Sequence, residues 1–226
     1  RLIKIDKKNK VDEHPYFNYK KKFNSFSSKQ KKKGLKIGKN ILKQRISGNY
    51  DKNLPYMRVS QFKKSKIKIK LKSNPIRPKI VIFSHCFYDN PHRFRNLHFN
   101  DFYEQINFLL NLSATTKKYD WFYKPHPNEL KGNSNILIYL KKKFPNLNFL
   151  KKNISHRNII KMKPFFVLTN HGTIAHEYAS FKIPVINMGD NPHINYKFCL
   201  HAKNKNDVRN MILNFEKFEK KIKFNL

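Results

Sequence analysis

The sequence predicts an α/β fold in which helices cover both faces of a parallel β-sheet. From residue 79 onward, short runs rich in β-branched and aromatic residues alternate with segments of helical periodicity, which is typical of a parallel sheet. Hydrophobic residues make up 39% of the 226 residues and aromatic residues 14%. A sizeable core is therefore expected, and a wholly disordered chain is not.

Five short apolar runs are predicted to be the strands of this sheet. They cover residues 79–85, 119–124, 147–150, 165–169 and 184–188. The first run opens with β-branched residues and ends in polar ones, as a buried strand does where it leads into a loop. The second stops at Pro125, and the fifth begins at Pro184. Proline has no amide hydrogen to donate to a ladder, so it marks the ends of strands.

Five helices are predicted between and after these strands. They cover residues 99–116, 136–144, 155–162, 172–181 and 206–222. Apolar side chains recur at helical spacing in the first and last of these segments, and the second is a short helix. Ser155 is a suitable N-cap for the third, and the fourth follows a tight turn at Gly172. This order predicts a three-layer α/β domain.

Residues 1–78 differ from the rest of the chain, and the sheet domain is assigned to residues 79–226. The first segment is dense in lysine and is interpreted as an N-terminal remnant or a linker region. One helix is expected over residues 37–46, where four aliphatic side chains fall on one face. Lysine alternates with isoleucine or leucine over residues 66–71, which suits an exposed strand or a flexible linker.

Positive charge dominates the composition, with 49 Lys and Arg residues against 14 Asp and Glu and a formal net charge of +35. This charge favours anionic partners such as nucleotides, acidic glycans and the inner face of a membrane. The excess is mostly lysine scattered along the chain, and it accompanies abundant Asn, Ile, Phe and Tyr, as an A- and T-rich coding bias produces. A basic background is therefore preferred over a selected nucleic-acid site, which usually recruits arginine as well.

Cysteine and histidine patterns argue against a disulfide scaffold and a metal site. Cys86 and Cys199 are too few and too far apart for either a disulfide framework or a cysteine-based zinc site, so a reducing cytoplasmic setting is expected. No HExxH motif or paired-carboxylate spacing is present, and no metal is expected. No apolar run approaches the ~18 residues that a membrane span needs.

Polar residues follow four of the predicted strands, at the edge of a parallel sheet where ligands bind. They are residues 84–85, 124–129, 169–173 and 189–190. In the third group a strand is followed by Gly172 and the start of a helix, so free N–H groups and a helix dipole favour a phosphate or carboxylate. Thr173 adds a hydroxyl there, and His171 adds a hydrogen bond or a proton. A plain helix cap with a turn glycine explains the segment equally well.

His126 and Glu177 are the two further candidates for binding. His126 lies between two prolines, which restrict the backbone and so direct the imidazole toward a diphosphate or a proton-transfer role. A lone histidine is more often structural. Glu177 follows Thr173 by one helical turn, where its carboxylate is placed to accept the hydroxyls of a ribose. A solvated helix glutamate is the alternative.

Three motifs in order resemble a known family. Lys124-Pro-His-Pro127, Asn170-His-Gly-Thr-Ile-Ala-His-Glu177 and Pro184-Val185 together resemble the capsule polysaccharide biosynthesis family of GT-B-type glycosyltransferases, which includes the bacterial capsular Kdo transferases. The resemblance spans roughly residues 79–190, about half of the chain. It implies a Rossmann-like domain of GT-B type and makes residues 1–78 a partial or truncated first lobe.

The resemblance also implies a role for each matched residue. His126 is implied to contact the donor phosphate and is the catalytic candidate. The implied nucleotide-binding residues are Lys124, Asn170, His171, Gly172, Thr173 and Glu177, with the glutamate on the ribose. Ser84 and His85, at the edge between lobes, are the candidates for the acceptor side. The general base of such enzymes usually comes from the first lobe, and no residue of this sequence is identified as that base.

The sequence therefore predicts a metal-independent glycosyltransferase that moves a sugar from a CMP- or UDP-linked donor to a growing surface or capsular polysaccharide, without a cofactor. Its expected partners are this donor, a glycan or glycolipid acceptor and the anionic surface of the inner membrane, but not nucleic acid. A nucleotide-sugar epimerase, a glycerophosphotransferase, a domain that only binds nucleotide and a non-catalytic polyanion-binding protein are the alternatives. His126→Ala and Glu177→Ala are each expected to weaken nucleotide binding without unfolding the chain.

Overall fold

Six parallel strands form the central sheet of the computed structural model, in the order β3-β2-β1-β4-β5-β6. The structure describes residues 18–49, 60–67, 69, 76–90, 97–127, 130 and 132–224. The strands are β1 Lys79–Phe83, β2 Asp120–Lys124, β3 Asn148–Phe149, β4 Phe166–Thr169, β5 Val185–Asn187 and β6 Leu200–His201. All five predicted strands are present, which confirms the predicted parallel α/β fold. The sequence missed β6 because two residues are too few to show a strand pattern.

Eight helices lie within the described residues. They are α1 Tyr19–Asn24, α2 Ser28–Ser47, α3 Phe102–Thr115, α4 Asn133–Lys143, α5 His156–Lys161, α6 Ile174–Ala179, α7 Lys205–Leu213 and α8 Phe215–Glu219. The single helix predicted over residues 206–222 is wrong, since α7 and α8 divide it. Asn214 leaves helical geometry there (φ −118°, ψ 37°), and its side-chain amide donates to Asn210 Oδ1 at 2.8 Å.

The core has two layers, one on each face of the sheet. Successive residues of β1 alternate between them, because side chains along a strand point to opposite faces. Ile80 and Ile82 pack in a cluster with apolar side chains of α3, α4, α7 and α8, whereas Val81 and Phe83 pack with those of α5 and α6. Helices thus cover both faces, and the carboxyl ends of the strands stay at one open edge.

Residues before the sheet domain are joined to it by Arg157 of α5. Arg157 Nη2 donates to Ile46 O and Ser47 O, each at 3.1 Å, and Nε donates to Phe62 O at 2.8 Å. The end of α2 and the segment over residues 60–67 are therefore both fixed on the sheet domain.

The helix predicted over residues 37–46 is confirmed as part of α2. The alternating segment over residues 66–71 lies largely outside the described residues, and the boundary after residue 78 stays a prediction. Among the described helices, none combines the length and the apolar character that crossing a membrane requires.

Candidate active site

The strand order creates a crevice at the carboxyl edge of the sheet, between β1 and β4. The chain builds outward from β1 through β2 to β3, then returns to the other side of β1 and continues through β4 to β6. The loops after β1 and β4 therefore leave in opposite directions and open a gap, where ligands bind in doubly wound sheets. This is where the sequence placed its candidate residues.

Three histidines from three different strand ends meet at this crevice. His85 follows β1, His126 follows β2 and His171 follows β4. The ring centroids of His85 and His171 lie 4.2 Å apart, and those of His85 and His126 lie 5.8 Å apart with ring planes at 15°. We call these three residues the strand-end histidine cluster. The structure thus unites residues that the sequence assigned to phosphate, nucleotide and acceptor roles.

His85 is held in the cluster from two sides. The ring of Phe102, at the start of α3, stacks on it with centroids 4.8 Å apart and planes at 14°. Asp89 Oδ2 lies 3.7 Å from His85 Nδ1. The interaction with His85, ahead of a backbone hydrogen bond from Asn90, lowers the pKa of Asp89 to about 2. At 3.7 Å the carboxylate does not form a direct hydrogen bond with the ring, so it acts on His85 through its charge.

Asn170 lies beside the cluster in sequence and is completely buried. The buried side chain of Gln105, from α3, donates from Nε2 to Asn170 Oδ1 at 2.5 Å. That bond leaves Asn170 Nδ2 buried with no hydrogen-bond partner among the described residues. Buried amide nitrogens nearly always have an acceptor in native proteins, so this one is an unsatisfied donor next to His171.

Gly172 and Thr173 form the turn that leads from β4 into α6. A Cβ at Gly172 would lie 3.1 Å from Thr169 Oγ1, which is closer than ordinary van der Waals contact, so this turn favours glycine because of a close approach. Thr173 is the first residue before α6, but its side chain does not cap the helix. Its hydroxyl oxygen instead accepts a hydrogen bond from Arg45 Nη2 at 2.9 Å.

Glu177 is buried and paired with Arg45. Its side chain is 1% exposed, and Arg45 Nε donates to its Oε1. His156 Nδ1 lies 3.9 Å from its other oxygen. Burial, followed by the positive charges of Lys124 and Arg45, lowers the pKa of His156 well below its usual value. The Glu177 carboxylate, which was expected to face a ribose, therefore forms an ion pair with an arginine of α2. Its contact with a ribose stays a prediction.

Lys124 and Ser84 connect the ends of β1 and β2. Lys124 is almost fully buried, and its Nζ donates to Pro125 O at 2.9 Å and to Lys152 O at 2.6 Å. Burial lowers the pKa of this ammonium to about 7. Ser84 Oγ donates to Lys124 O at 3.3 Å. Both side chains thus hold loop backbone, and their predicted ligand contacts stay predictions.

Three residues of the site escaped the sequence analysis. Arg45 lies in a lysine-rich segment without a motif, so nothing in the sequence marked it. Gln105 is a polar residue in α3, and nothing in the sequence marks it as buried. In the structure it is buried and bonds to Asn170. Asp89 lies in the loop and turn after β1, where four-residue spacing does not indicate a pair with His85. In the part of the chain that the structure describes, no three His, Cys, Asp or Glu side chains are arranged to hold a metal ion.

Comparisons with known proteins give low-similarity matches to solved structures. No protein-family model matches the chain, and no curated protein does. It is similar to a UDP-GlcNAc 2-epimerase from Neisseria meningitidis bound to UDP-GlcNAc (14% identity, 66% of this chain, 39% of that one, TM-score 0.47). It is also similar to KpsC, a β-Kdo 2,4 transferase of Thermosulfurimonas dismutans, at 10% identity over 74% of this chain and 49% of that one, with a TM-score of 0.47.

A third match is MnaA of S. aureus in a structure with UDP, at 17% identity over 67% of this chain and 43% of that one, with a TM-score of 0.44. The chain thus spans less than half the length of each of these three proteins. All three TM-scores are below 0.5.

Proposed function

We propose that the chain is the nucleotide-sugar-binding part of a glycosyltransferase that extends a surface polysaccharide from a CMP- or UDP-linked donor. The supporting observation is the strand-end histidine cluster at the crevice between β1 and β4, where His85 and His171 approach to 4.2 Å between ring centroids. Packing of the hydrophobic core does not explain why three imidazoles gather at the carboxyl ends of three strands. The three family motifs in the sequence point to the same activity.

The proposed chemistry is stabilisation of the departing nucleotide phosphate. As the acceptor hydroxyl attacks the anomeric carbon and releases its proton to solvent, the bond from that carbon to the phosphate oxygen breaks and its electron pair leaves as negative charge on the phosphate. His126 and His171 are suited to donate N–H hydrogen bonds to it, and the buried Asn170 Nδ2 supplies a further donor. Donors fixed before the reaction stabilise such charge without reorganising.

Arg45 is a further group that we assign to this chemistry. Its guanidinium is paired with Glu177 and also donates a hydrogen bond to Thr173 Oγ1 at the N-terminus of α6. A guanidinium in this position adds positive charge where the donor phosphates are proposed to bind. Glu177 is thus proposed as a positioning residue that acts through Arg45, in addition to its predicted contact with the ribose.

Nucleotide-dependent thermal stabilisation tests the proposal. We expect one of CMP, CDP, UDP, GDP and ADP to raise the melting temperature selectively, because a ligand that binds only the folded state stabilises it by mass action. His126→Gln is expected to weaken that nucleotide's affinity about tenfold, the cost of one lost hydrogen bond to a charged group. Lys142→Gln, on the exposed side of α4, is the control and is expected to retain full affinity.

The proposal is contradicted if every polyphosphate stabilises the chain equally and added salt abolishes this stabilisation. Charge alone would then explain the binding. A product assay with and without a glycan acceptor then separates transfer from epimerisation, since an epimerase needs no acceptor.

A further inference from the structure

A basic cavity of about 340 Å³ lies beside the loop that carries His126. One wall is the segment over residues 60–67, and the other is formed by Pro127 after β2 and residues 152–155 after β3. Pro127 directly follows His126 in the chain, so the cavity and the strand-end histidine cluster share one loop. The volume is at the lower end of small-molecule sites and suits one or two sugar units.

The lining of this cavity is cationic and rich in hydrogen-bonding groups. Three of its side chains are lysines, Lys63, Lys64 and Lys152. Serine, glutamine and asparagine side chains contribute most of the remainder, and none of the described residues that line it is acidic. Lysines that line a concave surface focus a positive potential into it, which favours an anionic ligand over a neutral one.

Hydrogen bonds on both sides hold the walls in place. Gln61 O accepts from the His156 amide at 2.8 Å, and Ile67 O accepts from Asn158 Nδ2 at 2.6 Å, so α5 fixes the first wall. The buried ammonium of Lys124 donates to Lys152 O at 2.6 Å and fixes the second. A cavity with fixed walls loses little conformational entropy on binding, which favours affinity for a small ligand.

We propose that this cavity binds an acidic sugar, a unit of the glycan that carries a carboxylate or a phosphate, next to the nucleotide site. The lysines bind the anionic group, and the hydroxyl and amide side chains bind sugar hydroxyls. The assignment to a glycan rests on the proposed function, whereas the preference for an anion rests on the cavity's own residues.

Calorimetric titration of the full chain tests this proposal at constant ionic strength. The probes are trigalacturonic acid as the carboxylate, glucose 6-phosphate as the phosphate and maltotriose as the neutral control. The triple variant Lys63→Gln/Lys64→Gln/Lys152→Gln is compared with Lys141→Gln/Lys142→Gln/Lys143→Gln, which removes the same charge from an exposed run on α4. The cavity variant is expected to bind the acidic probe about tenfold more weakly, and the α4 variant to bind it with unchanged affinity.

A second variant keeps the test decisive if the triple substitution impairs folding. Ser65→Asp retains an acceptor for the Ile67 amide, which now bonds Ser65 Oγ at 3.1 Å, and it places a negative charge in the cavity. It is also expected to weaken binding of the acidic probe. Equal weakening in the cavity and α4 variants, or no binding of either acidic probe, overturns the proposal.

The nucleotide titration distinguishes this failure from a failure of the proposed function. His126→Gln is expected to weaken nucleotide binding and to leave the acidic probe unaffected. If a nucleotide binds through His126 while no acidic sugar binds, only the cavity assignment is overturned. If the cavity variant loses nucleotide binding and not acidic-sugar binding, the cavity belongs to the donor and the assignment is again overturned.

Discussion

Glu177→Ala is expected to lower the free energy of unfolding by about 3 kcal/mol, because it leaves a partly buried arginine without its carboxylate. Glu177 is 1% exposed and Arg45 19%. A loss of that size corresponds to a fall in melting temperature of roughly 6–12 °C for a chain of this length. Urea denaturation followed by circular dichroism measures it. The sequence-based expectation that this variant still folds stays a prediction, because a loss of this size is smaller than the stability of a typical domain.

An exposed ion pair elsewhere in the chain provides the matched control. Lys118 Nζ donates to Glu216 Oε1 at 2.7 Å, but both side chains are about half exposed (45% and 54%). Glu216→Ala removes a carboxylate of the same kind from this pair and is expected to cost less than about 1 kcal/mol. Equal small losses in the two variants would show that the Arg45–Glu177 pair does not hold α2 on the sheet domain.

Acidification below pH 6.5 is expected to destabilise the fold through four histidines, of which His156 is buried and the other three are partly buried. Burial lowers the pKa of His156, His176, His193 and His201, in the case of His193 to about 3. The unfolded chain takes up protons near pH 6.5 that the folded chain does not, so stability is complete above that pH and falls below it. His193 alone contributes a loss of about 2 kcal/mol between pH 6.5 and pH 5, at about 1.4 kcal/mol per pH unit.

Thermal unfolding at pH 7.5, 6.5, 5.5 and 5.0 measures this loss, and His193→Gln is the informative variant. The ring of His193 lies 5.2 Å from that of His176, whose positive charge adds to burial in lowering its pKa. Replacing it with a group that does not titrate is expected to reduce the slope of stability against pH. Salt separates this effect from general repulsion among the lysines, which it screens. A flat profile from pH 7.5 to 5.0 contradicts the assignment.

The elements of the sheet domain were predictable because their signals are local. An apolar run of five residues is sufficient to indicate β1, and a polar residue after a parallel strand necessarily lies at the carboxyl edge. His85, His126 and His171 could therefore be placed at the same edge of the sheet by sequence pattern alone. Their pairwise spacing could not be predicted, since it depends on loop conformations that follow the strands.

The contacts made by α2 could not be predicted, because they join residues more than a hundred positions apart. Arg45 reaches Glu177 across 132 residues, and Arg157 reaches Ser47 across 110. Neither arginine lies in a motif. The burial of Glu177 could not be predicted for the same reason. Its sequence position is compatible with an exposed helix residue, and the arginine that pairs with it lies 132 residues earlier in the chain.

In the proposed function, the strand-end histidine cluster holds the donor's phosphate. Calorimetric titration of the wild-type chain and of His126→Gln, each with the stabilising nucleotide and with its phosphate-free nucleoside, measures whether it does. We expect the variant to bind the nucleotide about tenfold more weakly and the nucleoside with unchanged affinity, since only the phosphate meets His126. Equal weakening for both ligands, or none for either, would contradict the claim.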